Sequence, residues 1–333
     1  MLKGLAEHAF GIIQAVGAER SGACSPEPWR RRVILGLSGG PDSVYLLYLL
    51  HVLHKRGKIN LIAAHLNHGW RKESDVDAQF CVDLCQKLAI PLVVKHAKEL
   101  ETPRYNGSVE EVGRILRRTF FAALLQEHNA LCIALAHHRQ DQQETFLMRL
   151  MRGSSLSGLC CMKEIDHPYI RPLLHVNKCD IVAYLDAHAI PYCIDHTNQS
   201  PQFLRNRIRH TVLEPLRAVD DRCDEKFDTT VAMLQEENAY LDKITQAQFA
   251  LIFTKNPENI VLCDVKKFIQ CDLVLQRRLL MHWFIQEKIS FPVSHAFMQE
   301  VIRFLISPRG GTHHILHTVT LHKKNNICWI IRC

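Results

Sequence analysis

The sequence contains no apolar run that approaches the ~20 residues a helix needs to cross a bilayer. It also contains no C-x-x-C pair, and no Gly-Lys-Ser/Thr ending of the kind that closes a Walker-type phosphate loop. The first residues show no apolar stretch followed by a cleavage site, so we expect no signal peptide. These absences argue against a membrane-spanning protein, a C-x-x-C metal site and a Walker-type nucleotide site.

The composition is that of a globular chain, with 47% hydrophobic and 23% charged residues. A length of 333 residues favours two domains. The 13 cysteines are odd in number and lie in apolar segments such as 131–133, which favours buried thiols in a reducing compartment and a cytoplasmic location. The net charge of +7 permits a nucleic-acid partner without requiring one.

One short segment, 38–43, joins an apolar strand predicted at 33–37 to an apolar helix predicted at 43–55. We call it the glycine loop; it consists of Ser38, Gly39, Gly40, Pro41, Asp42 and Ser43. Its small residues let backbone N–H groups approach a ligand, and the helix that follows adds unpaired donors and partial positive charge. The loop therefore predicts an anion site, with Asp42 or Ser43 as the N-cap. An ordinary glycine turn with a capping aspartate would show the same residues.

Strands and helices alternate from residue 31 onward. Strands are predicted at 33–37, 61–66, 92–94 and 131–135, and helices at 43–55, 73–89, 109–128 and 141–152, with a capping box from Ser108 to Glu111. Apolar strands separated by helices predict an α/β fold with a doubly wound parallel sheet. Ligands of such sheets lie beyond the carboxyl ends of the strands.

After residue 153 the pattern changes. An extended piece is predicted at 169–173, followed by helices at 178–188, 202–218, 220–243, 275–285 and 297–306, and by a β-hairpin of 315–321 and 327–331. The helix at 202–218 is basic and the next one is acidic, which indicates a boundary near 218. We expect an N-terminal extension (1–30), a nucleotide-binding catalytic domain (31–218) and a smaller, mainly helical domain (219–333).

Polar residues follow two of the predicted strands. Asn67 and His68 end the second strand, where a nucleobase would lie and where these side chains would offer polar contacts. A turn that needs asparagine for its geometry is the simpler reading.

The fourth predicted strand ends at His137 and His138, and the next helix carries Asp141 and Glu144 on one face. Two carboxylates that face a nucleotide can bind Mg²⁺ or hold a substrate ammonium group. Acids in a first turn also suit the helix dipole, but that reading leaves the two histidines unexplained.

Arginines mark two further segments. Arg117 lies in the helix at 109–128, and Arg205, Arg207 and Arg209 lie in the basic helix. A solvated basic face is the default reading, and contact with phosphate groups is the sharper one. Side chains two residues apart on a helix cannot share one face, so at least one of these arginines turns into the protein.

The glycine loop resembles the PP-loop of the N-type ATP pyrophosphatases, and several further segments, in the same order, resemble the tRNA(Ile)-lysidine synthetase family. The matching segments are 38–43, 66–69, 110–111 with Arg117, 136–138 with 141–142 and 144–145, 152–153 with 158–159, 171–173, Asp195 with Asn198, and 205–209. They cover roughly residues 33–218. Gln140 departs from the pattern, since relatives often carry aspartate there. We also expect the further C-terminal domain of longer relatives to be absent or reduced to the hairpin.

The resemblance implies ATP-dependent attachment of lysine to C2 of the wobble cytidine of tRNA(Ile) with a CAU anticodon, through an adenylated cytidine. It implies ATP and Mg²⁺ as cofactors, and tRNA(Ile) and free lysine as partners. The glycine loop would hold the β- and γ-phosphates, with Asp42 bridging to Mg²⁺. Asp141 and Glu144 would hold the lysine ammonium group, and His137 would contact nucleotide or transfer a proton. No membrane partner is expected.

The arginines at 117, 205, 207 and 209 would contact RNA or substrate, and residues 219–333 would contact tRNA. The oligomeric state stays open, with a homodimer as one option. A PP-loop tRNA thiolase is the nearest alternative, but such an enzyme needs cysteines at its site, commonly as C-x-x-C. An RNA-binding module that uses ATP only to lock a conformation, and a small-molecule amide-forming ligase, are further alternatives.

Overall fold

The computed structural model describes residues 2–21, 31–70, 73–101, 109–194, 204–289, 294–316 and 319–332. Three residues used in the sequence argument, Ser108, Asp195 and Asn198, lie outside these ranges. The chain forms two compact units, Met1–Ala232 and Met233–Cys333. The functional boundary at 218 stays a prediction.

The described part of the first unit contains six strands and a series of helices. The strands are β1 (Arg32–Gly36), β2 (Asn60–Asn67), β3 (Leu92–His96), β4 (Cys132–Ala134), β5 (Ile165–Asp166) and β6 (Tyr169–Ile170). The helices up to residue 187 are α1 (Leu2–Ser21), α2 (Pro41–Lys55), α3 (Ser74–Lys87), α4 (Val109–Glu127), α5 (Arg139–Met151), α6 (Leu156–Leu159) and α7 (Lys178–Ala187). A short 3₁₀ turn, Ala97–Glu99, follows β3.

The strands form one sheet in the order β3-β2-β1-β4-β6-β5. All neighbours are parallel except β5 and β6. In β1, Val33 and Leu35 belong to the apolar cluster that includes α1, α2 and α7, whereas Ile34 belongs to the cluster that includes α4. Successive side chains of a strand face opposite sides, so helices cover both faces of the sheet. This confirms the predicted doubly wound α/β fold.

Helix α2 begins earlier than the sequence predicts. Its N-cap is Gly40 and its first residue is Pro41. The prediction that Asp42 or Ser43 caps this helix is therefore wrong. Proline suits the first helical position because its fixed φ matches the helix and its missing N–H would have no partner there.

The N-terminal helix α1 is part of the core of the first unit. It lies within the predicted N-terminal extension (1–30), and Ala6 and Ile13 are fully buried in the cluster that contains α2. At the surface, Glu7 accepts hydrogen bonds from Arg56 Nη1 at 2.7 Å and from Lys58 Nζ at 2.8 Å.

The basic helix predicted at 202–218 is interrupted. Helix α8 (Leu204–Ile208) passes into a π-helical turn (Arg209–Leu213) and then into α9 (Glu214–Val219). The acidic helix predicted at 220–243 is longer than expected, since α10 runs over Cys223–Ile252.

The second unit contains a five-stranded antiparallel sheet as well as helices. The strands are β7 (Phe253–Lys255), β8 (Val261–Asp264), β9 (Gly311–Leu316), β10 (Val319–Lys324) and β11 (Ile327–Arg332), in the order β7-β8-β11-β10-β9. The helices after α10 are α11 (Val265–Ile269), α12 (Leu273–Gln286) and α13 (His295–Ile306). The predicted hairpin is the β10–β11 pair. The hydrophobic core of the second unit includes Leu279, Trp283 and Phe284. Among the described helices of both units, none combines the length and apolarity needed to span a bilayer.

Candidate active site

The glycine loop connects the end of β1 to the start of α2. Gly39 has a φ of +86°, in the left-handed region where a residue with a Cβ is strained. A Cβ on Gly39 would lie 3.3 Å from Cys193 Sγ and 3.4 Å from Cys81 Sγ. Its conformation therefore favours glycine, and its surroundings leave little room for a side chain.

The two serines of the loop hold it closed. Ser43 Oγ accepts a hydrogen bond from Ser38 N at 3.1 Å and donates one to Gly40 O at 2.9 Å. These bonds tie the loop to the first turn of α2, so that backbone amides and a helix N-terminus form one rim. Such a rim is a ready site for an anion.

Asp42, in the first turn of α2, is paired with Lys178, which is not among the residues that the sequence predicts for the site. Lys178 Nζ lies 2.5 Å from both carboxylate oxygens of Asp42. Lys178 is the first residue of α7, and its backbone N–H donates to Gln140 Oε1 at 3.0 Å. The N-terminal turns of α2, α5 and α7 therefore meet at one point. Gln140 Oε1 thus satisfies the first backbone N–H of α7, whose N-cap residue is Asn177.

Helix α5 begins with a capping box. His138 is the N-cap, and its backbone N–H donates to Asp141 Oδ2 at 2.9 Å. His138 Nε2 lies 3.5 Å from Asp141 Oδ2 and 3.7 Å from Asp42 Oδ2. Burial alone would raise the pKa of Asp141, but its interactions with His138, His137 and Arg205 lower it below its usual value. Asp141 is therefore a charged carboxylate at neutral pH.

His137 stands at the end of β4 as a neutral imidazole. Burial, reinforced by Arg171 and Arg205 against the opposing effect of Asp141, lowers its pKa to about 4. Within the described residues, its buried Nδ1 has no hydrogen-bond partner. Buried polar atoms rarely stay unpaired, so this nitrogen can bond to a water molecule or to a ligand.

Glu144, on the same face of α5, has no solvent exposure and is held by two arginines. Arg209 Nε donates to its Oε1 at 2.7 Å, and Arg205 Nε lies 2.9 Å from its Oε2 without hydrogen-bond alignment. Burial raises the pKa of Glu144 and the bond from Arg209 opposes that rise. The geometry brings Asp141 and Glu144 together, as the sequence predicted, but Glu144 is already compensated by positive charge.

The basic segment faces two ways, as its spacing predicted. Arg205 and Arg209 turn inward to Glu144, and Arg205 also donates to Thr145 Oγ1 at 3.3 Å. Arg207 is exposed. Farther along, Arg217 Nη2 donates to Gln143 Oε1 at 2.6 Å. The inward arginines thus stabilise α5, and Arg207 remains at the surface.

Two polar residues at the end of β2 differ in their hydrogen bonding: Asn67 is bonded within the turn, whereas His68 Nδ1 has no partner among the described residues. Asn67, 2% exposed, donates to Asp75 Oδ1 at 2.7 Å and accepts from Gly69 N at 2.8 Å. Its amide is used in the turn, so the simpler reading of this residue gains support. His68 stacks on Trp70, with ring centroids 4.4 Å apart.

The environment of His68 is similar to that of His137. Burial, then the charge of Arg117, lowers the pKa of His68 to about 4. Its buried Nδ1 has no hydrogen-bond partner among the described residues. The Arg117 side chain is exposed. Trp70, half exposed beside His68, is not among the residues that the sequence predicts for the site.

The carboxylates at this site fit a phosphate-bound magnesium ion. Asp42 and Asp141 each have a carboxylate oxygen within 3.7 Å of His138 Nε2. Mg²⁺ in nucleotide sites usually takes one or two carboxylates together with substrate phosphates and water. No group of three or more potential metal ligands occurs within the described ranges, so a site formed only by protein ligands receives no support there.

Known proteins resemble this chain in sequence and in fold. The family model of the PP-loop domain matches residues 18–216. A Bacillus cereus protein described as tRNA(Ile)-lysidine synthase is 32% identical over 284 residues, which are 83% of this chain and 60% of that protein. The Geobacter sulfurreducens protein of the same description is 33% identical over 74% of this chain and 53% of its own length. The chain thus spans less than two thirds of the curated relatives it matches.

Among solved structures, the U34-tRNA thiolase NcsA from Methanococcus maripaludis, determined with its [4Fe-4S] cluster, is similar with a TM-score of 0.55. The two chains are 20% identical, and the match covers 68% of this chain and 80% of the thiolase. At that identity the similarity establishes the fold alone.

Proposed function

This chain belongs to the PP-loop domain family, and on that premise we propose that it is an ATP-dependent tRNA-modifying ligase. It joins lysine to C2 of the wobble cytidine of a tRNA(Ile) with a CAU anticodon, and yields lysidine, AMP and pyrophosphate. The observation that carries the proposal is the 32% identity, over 83% of this chain, to a tRNA(Ile)-lysidine synthase.

The glycine loop holds the β- and γ-phosphates of ATP in this proposal. Backbone amides of the loop and the N-terminus of α2 supply fixed donors for the negative charge that develops on pyrophosphate. Cytidine O2 attacks the α-phosphorus and the bond to the β-phosphate oxygen breaks, so AMP becomes linked to the base. O2 alone would be a poor leaving group. Once it is linked to AMP, the bond between C2 and O2 can break when the lysine amine attacks C2, and O2 leaves as part of AMP. Mg²⁺, held by Asp42 and the phosphates, would neutralise phosphate charge.

The first turns of α5 position the lysine. Asp141 is charged and lies at the site, so it attracts the substrate ammonium group, with Glu144 on the same face. The amine must lose a proton before its lone pair attacks C2. His137 is neutral at pH 7 and its Nδ1 has no hydrogen-bond partner within the described residues, so it can contact the nucleotide; with a pKa of about 4 it is too weak a base to take the ammonium proton, which passes to water.

Basic residues near the site provide contacts for RNA. Arg117 and Arg207 are exposed, and Arg205 is partly exposed while contacting Glu144. A chain with a net charge of +7 also attracts a polyanion over long range. We propose that residues 219–333 also contact the tRNA.

Mass spectrometry of tRNA after incubation with ATP, lysine and Mg²⁺ tests the proposal. A gain of one lysine, less water, on the wobble cytidine is expected, together with AMP from labelled ATP. The reaction without lysine is the control, and it should give no stable mass gain. Formation of ADP, or no lysine on the base, would contradict the proposal.

A thiolase is the second candidate, because Cys81 and Cys193 flank Gly39 of the glycine loop. Burial, however, raises the pKa of the Cys81 thiol far above its usual value, which disfavours the thiolate that sulfur transfer requires. The same mass spectrum distinguishes the two reactions, since a thiolase replaces oxygen by sulfur.

A further inference from the structure

Lys178 lies where a cation is least expected from the helix that carries it. It is the first residue of α7, and the positive end of a helix dipole disfavours a lysine there. Its Nζ is 2.5 Å from both oxygens of Asp42, while 35% of the lysine side chain and 26% of the aspartate side chain remain exposed. The pair is thus formed at an open surface.

The position of Lys178 is fixed by its surroundings. Gln140 Oε1 accepts the backbone N–H of Lys178, which ties the start of α7 to the start of α5. Farther along, Tyr184 of α7 contacts Tyr45 of α2 edge to face, with ring centroids 5.2 Å apart. The ammonium group is therefore held at the mouth of the glycine loop by two neighbouring helices.

The charge of the glycine loop explains why a lysine is needed there. The loop contains no lysine or arginine, and its one charged side chain, Asp42, is negative. Walker-type loops carry a lysine within the loop for the β- and γ-phosphates. Arg205 and Arg209 contact Glu144, whereas Lys178 directly contacts Asp42 of the glycine loop.

We propose that Lys178 binds the β- and γ-phosphates of ATP, and that Asp42 exchanges the lysine ammonium group for Mg²⁺ when the nucleotide enters. This inference deepens the proposed function and rests on it for the identity of the ligand. Without nucleotide, Lys178 and Asp42 neutralise each other. With nucleotide, Lys178 binds phosphate and Asp42 binds Mg²⁺.

The affinity of Lys178→Met for Mg·ATP and for AMP, measured by calorimetry without tRNA or lysine, tests the proposal. Affinity for ATP should fall roughly 10- to 100-fold, the loss of a charge-assisted hydrogen bond. Affinity for AMP, which lacks the outer phosphates, should change little. Lys58→Met, which removes another lysine–carboxylate pair of the same unit, should leave both affinities unchanged. An equal loss for ATP and AMP would overturn the proposal.

A double-mutant cycle with Asp42→Asn separates phosphate binding from simple neutralisation of Asp42. If Lys178 binds phosphate, Lys178→Met weakens ATP binding in the Asp42→Asn background as well. If the lysine only neutralises Asp42, that second loss vanishes, and the proposal is wrong. Lys178→Arg keeps the charge and should retain most of the affinity. Absence of lysine on tRNA, by contrast, would refute the proposed function and leave these binding results unaffected.

Discussion

Glu144 Oε1 accepts a hydrogen bond from Arg209 Nε at 2.7 Å, at a position where the carboxylate is completely shielded from solvent. Arg205 Nε approaches the other oxygen to 2.9 Å. One buried acid of α5 thus holds two arginines from a segment more than sixty residues later in the chain. This cluster fixes α5 and turns the guanidinium groups of two residues of the basic segment toward it, while both side chains stay partly exposed.

Removal of the Glu144 charge should destabilise the first unit. Glu144→Gln leaves two guanidinium groups without their counter-charge, and we expect a loss of about 2–3 kcal/mol, below the ~3–5 kcal/mol of a fully enclosed pair because the arginines can turn to water. Urea unfolding measures the change. Asp220→Asn, which breaks the exposed pair with Arg222, is the control and should have little effect. Equal effects of the two substitutions would contradict the expectation.

Gly39→Ala should weaken nucleotide binding beyond its effect on folding. The left-handed conformation costs alanine about 1–2 kcal/mol, and its Cβ would press on two cysteine sulfurs. We expect at least a roughly tenfold loss of ATP affinity as the loop moves. Gly57→Ala is matched, since Gly57 also has a positive φ of +65° but no atom within 4 Å of its Cβ position. It should cost stability and leave ATP affinity intact; a loss of ATP affinity in both variants would argue against the loop as the site.

Acid should destabilise the chain through His137. Its pKa is about 4 in the folded protein and about 6.5 in an unfolded one. Between these values the unfolded state binds more protons, so stability falls as the pH drops from 6.5 to 4. His137→Gln should reduce that loss by about 1–3 kcal/mol, measured by urea unfolding across this range.

His175 provides the opposite comparison for the pH experiment. His175 Nδ1 lies 3.7 Å from Asp228 Oδ2, and the interaction with this carboxylate raises the pKa of His175, so its contribution is present below pH 6.5 and is lost as the pH rises through the folded value. His175→Gln should therefore lower stability in acid and not in alkali. Identical pH profiles for the two variants would show that these environments are not as described.

Arg207→Ala should lower the salt dependence of tRNA binding. Its side chain is exposed on the segment whose other arginines turn inward. Loss of one phosphate contact reduces the slope of log K against log salt by about 0.7–1. Arg56→Ala, which removes an exposed arginine paired with Glu7, is the control and should leave the slope unchanged. An unaltered slope for Arg207→Ala would show that Arg207 makes no phosphate contact with the tRNA.

The parallel sheet and the place of the site were predictable because buried parallel strands appear as continuous apolar runs, with distinctive residues at their ends. The partners of those residues were not. Glu144 and Asp42 both looked open in the sequence, but each is paired with a cation supplied by a distant segment. Helical spacing reports which side chains share a face, and it cannot report what packs against that face. The first position of α7 did contain a signal, since a lysine there opposes the helix dipole.

The sheet of the second unit was harder to predict for a different reason. Strands β7 and β8 are three and four residues long, too short for an alternating pattern to stand out. Strand β9 contains two adjacent histidines and begins at a glycine. Only the hairpin, with longer apolar strands around a turn, carried a clear pattern.

The π-helical turn at Arg209–Leu213 sets the aim of the arginines on either side of it. In an uninterrupted α-helix each residue rotates the chain by about 100°, so Arg217 would point about 120° away from Arg205. One wide turn absorbs about one residue of that rotation. Arg205, Arg209 and Arg217 consequently reach consecutive residues of one neighbouring helix, Gln143 to Thr145. One extra residue in the wide turn therefore brings the three arginines to the same helix. The number of residues in this segment matters for these contacts as much as the identity of its side chains.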